Sequence, residues 1–101
     1  MNYKIEILPS AWEDLKQIED YYVVQFDIVT ALKVSDHILE TMERLENFPN
    51  SGSLIPDKWL NDQGYRMTVC KKHVIIYRII EEIIYIYHIA DTQTEYTKLF
   101  Y

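Results

Sequence analysis

Arg66, Lys71, Lys72 and His73 are the side chains whose types best suit phosphate chemistry. A guanidinium grips phosphate or carboxylate as a fork, ammonium groups add point charge, and an imidazole moves protons near neutral pH. Arg66 follows the Gly64-Tyr65 turn, where a strand end is accessible, so it is assigned to target or phosphate binding together with Lys71 and Lys72. His73 has two readings: a phosphate-binding or acid–base group beside two cations, or part of a soluble turn. His88 stands among apolar neighbours and reads as a satisfied core or half-buried histidine, with general acid–base work as the sharper alternative. His37 falls mid-helix among charged residues and reads as solvated. Cys70 has no nucleophile signature around it and reads as a small packing residue. The nine tyrosines could stack bases, although amphipathic strand packing explains most of them equally well. No CxxC or HExxH occurs, and two glycines could hardly form a phosphate-cradling loop, so neither metal nor cofactor is expected.

Charge divides these candidates from the rest of the chain. The net charge of -6 argues against a uniformly basic nucleic-acid binder. Residues 1–50 hold ten carboxylates and four bases, whereas residues 51–101 hold six of each. Within the second half, residues 58–78 carry five bases against Asp62 alone. The field is therefore dipolar along the sequence.

The elements that position these residues follow from periodicity. Tyr3, Ile5 and Ile7 alternate with Lys4 and Glu6 as a short strand that Pro9 ends. Ser10-Ala-Trp-Glu13 reads as a capping box opening a helix whose apolar stripe is Trp12, Leu15, Ile18, Tyr22 and Phe26. A second helix, capped at Asp27 or Thr30, carries Ala31, Val34, Ile38, Met42, Leu45 and Phe48 and stops at Pro49-Asn-Ser-Gly52. Residues 51–64 lack a clear period and read as a loop that packs down through Leu54, Ile55, Trp59 and Leu60. Three strands, Tyr65–Cys70, Val74–Ile80 and Ile83–Ala90, form an antiparallel meander. Strict alternation puts Arg66, Thr68, Cys70, Ile75, Tyr77, Ile84, Ile86 and His88 on one sheet face. Tyr65, Val74, Ile76, Arg78, Tyr87 and Ile89 fall on the other, and both faces are apolar enough to need cover.

The plan is one α+β domain over residues 1–101: β-α-α-β-β-β plus a C-terminal tail, with a helical hairpin packed on an antiparallel sheet. With 49% hydrophobic residues it can build a core without disulfides, and its single cysteine fits a reducing compartment. The opening Met-Asn-Tyr-Lys-Ile-Glu lacks the apolar run of a secretory signal, and no segment is long enough to span a membrane. A cytoplasmic protein is expected.

The order and spacing of Ala31, Ile38, Met42, Leu45, Phe48-Pro49, Gly52, Gly64-Tyr65-Arg66, Val74–Ile79, Ile84–Ile89, Asp91 and Glu95-Tyr96 resemble the RelE/ParE superfamily of bacterial toxins. The resemblance covers nearly the whole chain and implies the toxin of a type II toxin–antitoxin module, neutralised by a cognate antitoxin. RelE-like members cleave mRNA on the ribosome without a metal, and ParE-like members act on DNA gyrase. In the nuclease branch, basic residues on the second and third strands and after the last strand bind the scissile phosphate. Arg66 matches the second-strand position, but Val74 and Gln93 stand where the other two arginines would be, and Thr68 where a lysine can occur. The weak catalytic candidates are therefore Arg66, His73 and Tyr96.

Without those cations the charged transition state of RNA cleavage lacks stabilisation. A ParE-like protein acting by protein binding is expected. The alternatives are a RelE-like ribosome-dependent mRNA endoribonuclease and a degenerate, non-toxic antitoxin-binding protein. The antitoxin is expected to lay a helix or strand over apolar surface and to bring a basic segment to the acidic hairpin. No residue is assigned to that contact.

Overall fold

A computed structural model describes residues 3–100, with Tyr96 and Thr97 described by their backbone alone. Strand β1 (Lys4–Ile7) leads into α1 (Pro9–Gln25) and α2 (Ile28–Arg44). There follow β2 (Ser53–Leu54), the short helix α3 (Lys58–Asp62), and the strands β3 (Tyr65–Cys70), β4 (His73–Ile80) and β5 (Ile83–Asp91). A single 3-10 turn, Tyr96–Leu99, closes the described chain. The sheet order is β1-β5-β4-β3-β2. The meander is antiparallel as expected, while β1 joins β5 in parallel, so the sheet is mixed. The segment 51–64, read as a loop, contributes both β2 and α3.

Two-residue links join the meander strands although neither contains glycine. Lys71 and Glu81 instead adopt positive φ, 56° and 57°, the conformation that such tight hairpins demand. Asp27 caps α2 as anticipated, its side chain accepting from the Thr30 N–H at 2.6 Å.

The helical hairpin covers one sheet face, where Leu15, Ile38, Met42 and Leu45 pack against Ile75, Tyr77, Ile84 and Ile86. The opposite face is closed within the chain: Ile55 and Leu60 pack on Tyr65, Val74 and Ile76, with Leu99 and Phe100 from the C-terminal segment beside them.

Several expectations change in the folded chain. Ser10 caps nothing; α1 begins at Pro9 after an extended Leu8, and no side chain caps it. Proline at the first helical position has no N–H to satisfy and its φ is already helical, which removes part of the need for a cap. The Ser10 hydroxyl instead donates to the Tyr87 carbonyl at 2.6 Å. Trp12, Phe26 and Phe48, placed on the apolar stripes, are exposed. His37 is half-buried rather than solvated.

The largest revision concerns β5. Ile76 pairs with His88 but Tyr77 pairs with Ile86, which leaves Tyr87 as the extra residue of a β-bulge. One inserted residue reverses the side-chain alternation beyond it. Ile89 therefore joins Ile84 and Ile86 under the helices, and Tyr87 and His88 both meet Phe100 on the other side.

Candidate functional site

The expected binding residues do not converge. Arg66 lies near the start of β3 and Lys71-Lys72 in the turn that ends it. At about 3.3 Å per strand residue, Arg66 and Lys71 are separated by roughly 16 Å.

Arg66 is engaged by its own chain. Its Nη1 donates to the Gly52 carbonyl at 2.8 Å, while the Tyr77 hydroxyl donates to the Pro49 carbonyl at 2.8 Å and accepts from the Gly52 N–H at 3.0 Å. These bonds pin the segment leaving α2 onto the sheet. A Cβ on Gly52 would lie 2.5 Å from the Tyr77 hydroxyl and 2.7 Å from the Met67 carbonyl, so close approach requires glycine there. Burial raises the Tyr77 phenol above its ordinary value, partly opposed by the Gly52 N–H and by Arg66.

Arg78 occupies the opposite face. Its guanidinium carbon lies 5.0 Å from the Tyr65 ring centroid and 5.5 Å from that of Tyr87, and Nη2 donates to the Tyr87 hydroxyl at 3.1 Å. Of the residues standing where further cations would be, Val74 is buried in the core of that face. Gln93 is exposed, its N–H donating to Asp91 Oδ1 at 2.8 Å, and Thr68 is half-buried opposite Ile75. The Tyr96 side chain lies outside the described residues.

At the other end of the β3–β4 hairpin, His73 is not part of a soluble turn. It is the first residue of β4, only 7% exposed, opposite Cys70 on one side and Asp91 on the other. Its ring meets Tyr22 of α1 with centroids 6.1 Å apart, and among the described residues its side chain makes no hydrogen bond. Burial lowers its pKa below the ordinary 6.5; Asp91 opposes that shift and Lys72 adds to it. A cleft of about 410 Å³ opens here between α1 and the sheet, with Asp14, Tyr21, Tyr22 and Phe26 on the helical side and Lys72, His73 and Asp91 facing them. On the other side of Tyr22 and His73 is a smaller hollow of about 210 Å³, which reaches His37 and Cys70.

Asp14 fastens α1 to β5. Its Oδ2 accepts from the Ile89 N–H at 3.0 Å and lies 2.8 Å from His88 Nδ1. An ionised carboxylate only accepts, so the ring hydrogen belongs on Nδ1. His88 is thus half-buried and partnered, close to its core reading. The sequence offered little warning of this pair, because Asp14 reads as one of several charges on the outer face of α1. Among the described residues no group of three or more His, Cys, Asp or Glu could hold a metal ion. None of the described helices is long and apolar enough to cross a membrane.

The family profile described as ParE toxin of type II toxin-antitoxin system, parDE, matches residues 5–96. The chain belongs to the ParE toxin family. Among solved structures, this ParE-family toxin is similar to a chain of the chromosomal ParDE TA system from P. aeruginosa, with a TM-score of 0.77 and 25% identity over 90% of this chain and 97% of that one. It also shares its fold with a chain of the toxin-antitoxin complex RelBE2 from Mycobacterium tuberculosis, with a TM-score of 0.61 and 14% identity over 90% of this chain and 99% of that one. A search of curated proteins finds no match. The chain is therefore a type II toxin of the RelE/ParE superfamily, and the separation of Arg66 from Lys71 and Lys72 described above is a property of a ParE-family member.

Proposed function

We propose that this toxin arrests growth by binding a protein target, DNA gyrase, and that a cognate antitoxin neutralises it. The carrying observation is that its cations do not converge. Arg66 is bonded to Gly52 at one end of β3, Lys71 and Lys72 stand at the other, and Val74 is buried. Metal-free RNA cleavage needs several cations around one phosphate, together with an acid and a base.

A protein-binding mode is further supported by the apolar side chains exposed around the α1–α2 turn, Val24, Phe26, Ile28, Val29 and Leu32. Clustered exposure of this kind marks protein interaction surfaces. The neutralising antitoxin is assigned a segment that covers such surface and carries basic residues to meet the carboxylate-rich helices.

The test is a supercoiling assay with purified toxin and DNA gyrase, run beside a translation assay with programmed ribosomes. Inhibition of supercoiling that added antitoxin reverses is the expected result. Codon-dependent mRNA cleavage with supercoiling untouched would replace this reading with the endoribonuclease one. No growth defect on induction without the antitoxin would favour a degenerate antitoxin-binding protein.

A further inference from the structure

The cleft between the C-terminal half of α1 and the start of β4 has the makings of a binding site whatever the cellular target. Its volume, about 410 Å³, falls within the size range of small-ligand sites. Its walls are aromatic: the Tyr22 and Phe26 rings stack with centroids 5.7 Å apart, and Tyr21 packs edge-on against Tyr22 at 5.3 Å. His73 lines it, is more than nine-tenths buried, and has no side-chain hydrogen bond among the described residues. His73 therefore keeps bonding capacity that the described chain does not use, at the wall of a cleft.

The electrostatics favour a cation. Asp14 and Asp91 both line the cleft, and Asp14 Oδ1 has no bonded partner among the described residues. The last turn of α1 holds no basic residue, so the negative end of its dipole stands uncompensated where Tyr21, Tyr22 and Phe26 lie. Aromatic faces attract cations in the same way. Lys72 opposes this, but it is exposed and free to swing its ammonium into solvent. A buried imidazole kept neutral by desolvation offers a ring nitrogen as acceptor rather than a competing charge.

We propose that this cleft is an anchor site for one cationic side chain of the arginine class, presented by a partner polypeptide and held against the Tyr22 and Phe26 rings by the Asp14 and Asp91 carboxylates and the His73 imidazole. The planar guanidinium suits it better than an ammonium, because it can stack on a ring while its edge donates to a carboxylate and to imidazole nitrogen.

The test uses the intact toxin and needs neither antitoxin nor target, so it stands or falls separately from the gyrase reading. Backbone amide and His73 ring resonances are followed by NMR during titration with N-acetyl-arginine methylamide, with its neutral citrulline isostere, and with inorganic phosphate. The arginine probe should give saturable shifts centred on Tyr22, His73 and Asp91 in the millimolar range, and the citrulline probe should bind at least about five-fold more weakly. Asp91→Asn and Tyr22→Leu should each weaken the arginine probe several-fold, while Lys72→Gln should tighten it about two-fold. Equal binding of the two isosteres, shifts centred elsewhere, no saturable shifts, or phosphate outcompeting arginine at these residues would each overturn the proposal.

Discussion

At the Arg66 end of the β3–β4 ladder, polar groups are bonded to one another: guanidinium to the Gly52 carbonyl, Gly52 N–H to the Tyr77 hydroxyl, and that hydroxyl to Pro49. At the His73 end, a buried imidazole and one carboxylate oxygen of Asp14 face an open cleft with no hydrogen bond among the described residues. Both ends carry residue types suited to phosphate or proton chemistry. The difference teaches that side-chain type does not locate function. A polar group already satisfied within the chain contributes to stability, whereas one left unbonded at the wall of a cleft is available to a ligand.

Substitutions that break this comparison should be costly at the first end and nearly silent in stability at the second. Gly52→Ala has the largest expected effect, about 3 kcal/mol in urea unfolding, because its Cβ would meet the Met67 backbone carbonyl at 2.7 Å. Tyr77→Phe should cost about 2 kcal/mol in the same measurement, since it strands the buried Gly52 N–H and Pro49 carbonyl. Arg66→Ala should cost about 1 kcal/mol, read as a shift in the urea midpoint at unchanged slope. Under the protein-binding reading, Arg66→Ala toxin at matched folded concentration still inhibits supercoiling.

The smallest effect lies at the other end and is one of pH. Burial lowers the folded-state pKa of His73 below 6.5, so as pH falls through 6.5 the unfolded chain takes up the proton first. The stability that His73 contributes is fully present above 6.5 and declines below it. Replacing it, as in His73→Leu, should flatten this part of the stability profile, and Tyr77→Phe should leave its slope unchanged. A slope that survives His73→Leu would place the titrating group elsewhere and blur the distinction between the two ends.

Much of the architecture was legible because its signals are local. The α2 stripe Ala31–Leu45, the Asp27 cap, the stop at Pro49–Gly52 and the Val/Ile/Tyr-rich meander each lie within a few residues of what determines them. The site was less legible. His73 looked like a turn residue because it follows Lys71-Lys72, yet the left-handed φ of Lys71 closes the turn one residue earlier. Arg66 and the lysines looked like one basic group in sequence, but an extended strand holds them apart.

By itself, then, the sequence determined the helical hairpin, the meander, the acidic first half and the family pattern, because periodicity, capping and turn chemistry act over short spans. Only the tertiary structure decided the bulge at Tyr87, the transfer of Ile89 to the helix side, the Asp14–His88 pair and the cleft around His73. The Asp14–His88 pair joins residues 74 positions apart, and it, like the others, follows from how whole elements settle against one another. No local preference specifies such a register, and a single extra residue in one strand reverses every side chain beyond it.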